Sequence, residues 1–484
     1  MPMILPQIKH IVVVMFENRS LDNVCGWLYR DPADPPRFFV PSGSPAHYAG
    51  LDPSLWNPRN ASYFNGQPPD KVPIMDSATS FTNPNIDPEE TFDHVTRQLY
   101  GPSGYVDPPR WPMQGFVVDY EYATAGNPVE MMEPFSAAQV GVISTLARSF
   151  AISDAWFCSV PSQTWPNRAF VHTGTSNGHV DNGNPPNPFD WNVQTIFNVL
   201  QELGISWSVY SDASLAPSLT RTMFPKLWDP LLAGHFRDMD DFEQRCGAGT
   251  LETYSFIEPN FLTDPNDYHP PHDVRKGEQF LSRIWNAVRN SPSWNDTLLI
   301  ITFDEHGGTY DHVLPPTGAK TPDNASNPGQ NGFRFDRFGV RVPTILVSPW
   351  IEAGTVFRSN TNTLLDHTSI LATLRDWLAI PSDKMLPSLR IAQAPTLEYV
   401  LTRTSPRTDK PSIQTPEPVA FTSTSLSLPP NDLQKSLITG TAARFGMDPR
   451  SVLAGIGTRQ HAIDFFAKRP LAPAAQKNTT PPER

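Results

Sequence analysis

From Ile8 to Phe16 the chain is almost continuously apolar and β-branched, and it turns abruptly polar at Glu17, Asn18 and Arg19. Such a run predicts a strand at the centre of a parallel sheet, covered on both faces. Thr297 to Phe303, TLLIITF, is a second such run, and Val342 to Val347, VPTILV, is a third. ISWSVYS (Ile205 to Ser211) and TYSFIEP (Thr253 to Pro259) are weaker strand candidates. Between the runs the apolar period becomes helical. DVRKGEQFLSRIWNAVRNSP sets Val274, Leu281, Ile284, Trp285 and Val288 on one stripe, with Asp273 as N-cap. NVQTIFNVLQELG stops at Gly204, a residue suited to the position just past a helix end, and FSAAQVGVISTLARSF from Phe135 is a third helix. Strands alternating with helices predict an α/β fold, a mainly parallel central sheet flanked by helices.

The pattern breaks in two places. From about Tyr29 to Gln114 the chain is loop-rich and full of Pro, Asn and Asp, as in an insertion over one end of the sheet. From about Thr402 it becomes rich in Thr, Ser and Pro, carries one short helix in NDLQKSLITGTAARFG, and ends in NTTPPER, expected to be disordered. The 53 prolines fit long ordered loops on a compact scaffold. A net charge of −12 argues against general nucleic-acid binding, because such a chain repels the phosphate backbone. Cys25, Cys158 and Cys246 form no CxxC spacing, so a thiolate zinc site is not expected. The amino-terminal stretch lacks a basic segment and a small-residue cleavage site, and no apolar run approaches 18 residues. The expectation is a protein that stays inside, leaves by a signal-independent route, or has had a signal removed.

In open parallel sheets ligands sit outside the carboxyl ends of the strands. The first strand ends on Glu17 and Asn18, and the TLLIITF strand ends on Asp304, Glu305 and His306 before Gly307 and Gly308. Three carboxylates and an amide oxygen on one rim would repel without a counter-charge, and a hard divalent cation would resolve this. The local alternative is that Glu17 pairs with an arginine and Asp304 caps a turn. In SVPSQTWPNRAFVHTGTSNG, Thr164 stands two residues before Pro166, where a helix start would present backbone N–H groups to an anion, with Asn167 and Arg168 as further donors. A hydroxyl beside a metal can attack phosphorus, or Thr164 can simply complete a cap. Among 12 histidines, His269, His272, His306, His312 and His367 lie near carboxylates in sequence, a placing that suits acid–base work or a second metal.

Four blocks carry a resemblance: HIVVVMFENRSLDN, WFCSVPSQTWPNR with GTSNG, HPPHDVRKGE, and TFDEHGGTYDHV followed by VRVPTILVSPW and DHTSI. Together they resemble the bacterial and plant non-specific phospholipase C and acid phosphatase family of the alkaline-phosphatase-like superfamily. The resemblance implies an alkaline-phosphatase-like catalytic domain over residues 1–400 and a C-terminal extension over 401–484. It implies metal ligation by Glu17, Asn18, Asp304 and Glu305, with Thr164 as nucleophile and also beside the metal. It implies His272, Asp273 and His306 as catalytic polar groups around the phosphate, and Asn167, Arg168, Glu90, His94 and His367 on the substrate. Many members carry a D-P-G-H segment. Here IDPEETFDHV puts Glu90 where the usual histidine would stand, with His94 one helical turn later. The implied function is hydrolysis of glycerophospholipids to diacylglycerol and a phosphorylated head group through a phosphothreonine, with one or two divalent ions (Ca, Mg, Mn or Zn) and transient contact with a membrane surface. Phosphomonoester hydrolysis is the alternative, and a catalytically silent binding or effector protein is the alternative of another class. Trp156, Phe157, Trp165, Tyr310 and Trp350 can rim an apolar entrance or belong to the core.

Overall fold

The apolar run from Ile8 becomes the strand His10–Phe16, sixth of nine in one sheet. A computed structural model describes residues 4–183, 186–212, 215–420 and 426–468. Among them the sheet runs Phe38–Val40, Thr355–Phe357, Ala151–Ser153, Thr344–Val347, Thr297–Phe303, His10–Phe16, Tyr254–Glu258, Trp207–Ser211 and Phe236–Asp238. The central three strands are parallel, and Phe16 is the register partner of Phe303. Glu17 and Asp304 therefore leave the sheet side by side at the same rim. The strand on the other side, Tyr254–Glu258, runs out into the loop that carries Asp267, His269 and His272.

One strand departs from the parallel expectation. Thr344–Val347 is antiparallel to both neighbours. A strand buried on both faces reads as a continuous apolar run whichever way it points, so the pattern carries no direction. The helix expected from Phe135 begins at Gly141, where Glu278 accepts the backbone N–H groups of Val142 and Ile143. The helix Val274–Asn290 starts at its expected cap, with Asp273 accepting Arg275 N.

The insertion is more integrated than its composition predicts. Phe38–Val40 pairs in parallel with Thr355–Phe357 at the sheet edge, and Val95, Leu99 and Phe116 form a second small core with Trp27 and Tyr310. Among its described residues the C-terminal extension carries three α-helices where one helix was expected: Asp432–Arg444, Pro449–Ala454 and Arg459–Ala467. Leu433, Leu437, Ile438, Ala462 and Phe466 belong to the same apolar core as the sheet. The NTTPPER segment lies outside the described residues. Trp156, Phe157, Trp165 and Tyr310 are buried and Trp350 is partly buried, so these aromatics are core or its margin and form no apolar rim.

Candidate active site

The rim is built by backbone geometry first. Asn18 adopts φ 55°, a left-handed conformation that Asn tolerates better than most residues. Its N–H donates to Asp304 Oδ1 at 3.0 Å, and Glu305 N donates to the same oxygen at 2.7 Å. Gly307, at φ +59°, lies against this turn. A Cβ there would stand 2.3 Å from Asn18 O, so the site needs glycine for space as well as conformation.

Thr164 is the first residue of the helix Thr164–Thr173, with Pro166 inside the first turn. Its hydroxyl donates to Glu17 Oε2 at 3.2 Å, and Asn18 Oδ1 lies at 3.4 Å. The helix end offers an anion less than expected, because Trp165 N is taken by Asn182 Oδ1 at 2.8 Å and Pro166 has no N–H. Asn167, expected on the substrate, is fully committed to the loop before Thr164. Its Nδ2 donates to the carbonyls of Val160, Ser162 and Gln163, and its Oδ1 accepts Val160 N. Arg168 turns to Glu17 through Nε at 2.8 Å and through Nη2, which also bonds Met15 O, and only its Nη1 lacks a partner. Arg168 is thus the arginine that the local alternative asked for at Glu17, and its Nε also lies 3.6 Å from Asp304 Oδ2.

The histidines divide by what their ring nitrogens touch. His272 Nδ1 donates to Asp267 Oδ1 at 2.7 Å, which leaves Nε2 buried without a partner. His269 bonds Pro270 O through Nδ1, so its Nε2 accepts from Asn18 Nδ2 at 3.0 Å, and burial lowers its pKa to about 4. His306 donates from Nε2 to Gln98 Oε1 at 2.9 Å, since Gln98 Nε2 is spent on Glu89 O and Asp119. Burial lowers the His306 pKa to about 3, and with Nε2 bonded to Gln98 only Nδ1 is left open. Its Nδ1 lone pair faces Glu305 Oε2 at 3.3 Å. His367 is not placed to touch substrate: Nε2 holds Asp304 O at 2.6 Å and Nδ1 accepts Trp156 Nε1 at 3.4 Å. Asp273, expected among the catalytic groups, is spent as helix cap and ion pair to Arg275. His94, expected on the substrate, bonds Asp119 at 3.0 Å and reaches the rim only through Gln98 and His306. Glu90 is buried, and burial with the charges of Asp87 and Glu305 raises its pKa. Asp87 and Asp267 were not singled out as site residues. Asp267 had a sequence signal, since it lies two residues before His269 in the strand-end loop.

Asp304 Oδ2, Glu305 Oε1 and His306 Nδ1 are buried acceptors with no donor. Burial raises the pKa of Glu17, opposed by Arg168 and reinforced by Asp304, and burial followed by Asp304 raises that of Glu305. One arginine among three carboxylates leaves an excess of negative charge. Carboxylate and carboxamide oxygens with a hydroxyl are the donor set that a hard divalent cation takes. The residues present therefore fit a cation. A second group able to hold one is Asp22, Asp311 and His312, whose ligand atoms lie within 4.8 Å of one another. That group already has counter-charges: Arg341 bonds Asp22 Oδ1 and Asp311 Oδ1, each at 3.0 Å, and His312 bonds Asp22 Oδ2 at 2.6 Å.

The sequence profile of the Phosphoesterase family matches residues 8–381, which takes in the sheet and every rim group named above. The chain belongs to the Phosphoesterase family. It is a phosphoric ester hydrolase by that membership. It is 35% identical over 424 residues to non-specific phospholipase C3 of Arabidopsis thaliana, an alignment covering 84% of this chain and 75% of that one. It is 27% identical to phospholipase C B of Mycobacterium tuberculosis over 437 residues, covering 78% and 74%. Of solved structures, a protein of the alkaline phosphatase superfamily from Vibrio parahaemolyticus overlaps at a TM-score of 0.30 with 10% identity, over 54% of this chain and 66% of that one, too slight a likeness to carry an argument.

Proposed function

We propose that this phosphoesterase cleaves glycerophospholipids on the glycerol side of the phosphodiester, releasing diacylglycerol and a phosphorylated head group. The observation that carries the chemistry is the Thr164 hydroxyl, buried at a helix start and 3.2 Å from Glu17 Oε2. Thr164 Oγ attacks phosphorus as its proton leaves toward the Glu17 side, and the bond from phosphorus to the glycerol oxygen breaks. A proton held at His272 Nε2, in a ring fixed by Asp267, passes to that oxygen. Water then enters, deprotonated at the same nitrogen, and cleaves the Oγ–phosphorus bond, while the proton held on the Glu17 side returns to Thr164 Oγ. Glu17, Asn18, Asp304 and Glu305, with Thr164 beside them, would hold the divalent cation. A bound cation supplies charge stabilisation to the phosphoryl oxygens. Asn167 sets the loop that presents Thr164, and His367 fixes the carbonyl of Asp304. The preference for a lipid diester draws support from the names of the relatives. Contact with lipid would be peripheral, as no helix among the described residues is long and apolar enough to cross a membrane.

The test is product analysis with phosphatidylcholine and with p-nitrophenyl phosphate, each with and without chelator. Diacylglycerol and phosphocholine should form faster, per kcat/KM, than p-nitrophenol, and both should stop on chelation. A strong preference for the monoester would make the protein a phosphatase and overturn the lipid reading.

A further inference from the structure

The C-terminal extension reaches the loop that presents Thr164. Its helix Asp432–Arg444 packs against Trp165, the residue after Thr164: a Cβ added at Gly440 would lie 3.4 Å from Trp165 Cη2. Between the start of this helix and the loop lies a cavity of about 360 Å³. Thr91, Gln163 and Asn182 line it together with Asp432 and Lys435 of the extension. Thr91 follows Glu90 and Gln163 precedes Thr164, so the cavity borders two segments that build the site.

The cavity wall has more hydrogen-bonding capacity than the protein uses. Gln163 and Asn182 are each 5% exposed. Gln163 Oε1 accepts Asn182 N at 3.1 Å, and Asn182 Oδ1 accepts Trp165 N at 2.8 Å. Backbone N–H groups thus fix which way both amides point, and Gln163 Nε2 and Asn182 Nδ2 are left without an acceptor among the described residues. Leaving such donors unmade is costly, so two of them at one cavity fit the oxygens of a ligand. The Thr91 hydroxyl makes no cap bond to the helix that it precedes. Asp432 accepts Lys435 Nζ at 2.8 Å through Oδ1 and keeps Oδ2 open among the described residues. Asp181, also in the wall, adds negative charge, but its oxygens already accept Phe92 N and Gln330 Nε2. No aromatic ring lines the cavity among the described residues.

We propose that this cavity receives the head group of the substrate and that it takes a polyhydroxyl head group, such as inositol or glycerol, in preference to choline. This rests on the phosphodiester reading above and names the head-group class for it. The head group stays on phosphorus when Thr164 attacks and the diacylglycerol oxygen leaves, so it lies next to the Thr164 phosphoester. Gln163 stands directly before Thr164, and Asn182 holds the N–H directly after it. A hydroxyl donates and accepts at once, so a polyol matches the amide donors of Gln163 and Asn182 and the open carboxylate oxygen of Asp432. A trimethylammonium does neither. It would leave the amide donors unpaired, find no ring to stack on, and meet Lys435 beside the Asp432 carboxylate. A site that hydrogen-bonds a hydroxyl rejects a ligand that lacks it.

Binding is read first without turnover, by titration calorimetry of Thr164→Ala protein with myo-inositol 1-phosphate and with phosphocholine. The inositol ester should bind about 10-fold tighter or more. Equal binding, or a preference for phosphocholine, would overturn the proposal. Two wall variants are then made in the same background. Gln163→Glu keeps the oxygen that accepts Asn182 N and loses the Nε2 donor, and Asp432→Asn keeps the shape and loses the carboxylate. A change in how the phosphate group itself is held affects both ligands alike, so the readout is the ratio of the two dissociation constants. That ratio should fall by about threefold or more in each variant, the scale of one lost hydrogen bond. A ratio within about twofold of the parent protein's in either variant would overturn the proposal as well. Wild-type protein should release diacylglycerol from phosphatidylinositol with a kcat/KM about 10-fold above that for phosphatidylcholine. Release from neither lipid, with the binding ratio intact, would overturn the lipid reading alone and leave the ligand class of the cavity standing.

Discussion

The Thr164 hydroxyl is the single group whose removal should stop the chemistry and leave the fold untouched. The side chain is buried, and among the described residues its hydroxyl bonds to Glu17 and Asn18 of the site itself. Thr164→Ala should lower kcat by about 10³-fold or more, the scale of losing a covalent nucleophile, with the thermal midpoint held. Thr164→Ser keeps the oxygen and should keep measurable turnover. Near-normal activity of the alanine variant would rule out a phosphothreonine. Gly307 is the complementary case, where the cost falls on structure first. At φ +59° an alanine is strained, and its Cβ would strike Asn18 O at 2.3 Å. Gly307→Ala should cost about 1–3 kcal/mol of stability from backbone strain alone. It should also push Asn18 away from Asp304 and so abolish turnover. Denaturant titration and a kcat measurement on the same preparation check both parts.

Elements carry the site by their ends, and this explains what the sequence could and could not reveal. Glu17 and Asp304 were legible because two buried apolar runs stop abruptly, and parallel register then aligns their ends at Phe16 and Phe303. Asp273 was legible as a helix cap for the same local reason, while its catalytic reading came from resemblance and gave way to Arg275. What stayed hidden depends on contacts between elements distant in the chain. Nothing local marks Asn167 as the anchor of the loop before Thr164, or His367 as a support behind Asp304. The direction of Thr344–Val347 was hidden too, because burial on both faces erases the alternation that would mark it. The helix Phe92–Tyr100 offers a test at this scale. His94 bonds Asp119 on the next helix, and that bond, together with the Asp119 charge, raises the His94 pKa above 6.5 against the pull of burial. A raised pKa means that the folded state holds the proton more tightly. The stabilisation is complete below pH 6.5 and is lost as pH rises through the folded value. His94→Asn should therefore lose stability relative to wild type at pH 5.5 and lose little at pH 8.5, as read by thermal midpoints across that range. A penalty that grows toward high pH would contradict the pairing.

At the scale of the whole molecule, one apolar core runs from the central strand to the C-terminal helices. Burying Glu17, Asp304 and Glu305 together against one arginine is unfavourable for folding, and a cation that binds only the folded chain would offset it. Stabilisation by such a ligand grows as RT ln(1 + [L]/Kd), about 2.7 kcal/mol at a hundredfold excess over Kd. Chelation should thus lower the thermal midpoint as well as abolish activity, and readdition of Mg, Ca, Mn or Zn should identify the effective ion by the size of the recovery. The competing location is Asp22, Asp311 and His312, and charge decides between them. There Arg341 and His312 already stand against two carboxylates, so a divalent ion would add charge to a balanced group. The increment in midpoint on adding metal separates the two sites even if both sets of variants are less stable in absolute terms. Asp304→Asn and Glu305→Gln should shrink that increment, and Asp311→Asn should preserve it. The reverse pattern would move the cation to the Arg341 cluster and leave the rim carboxylates dependent on Arg168 and protonation alone.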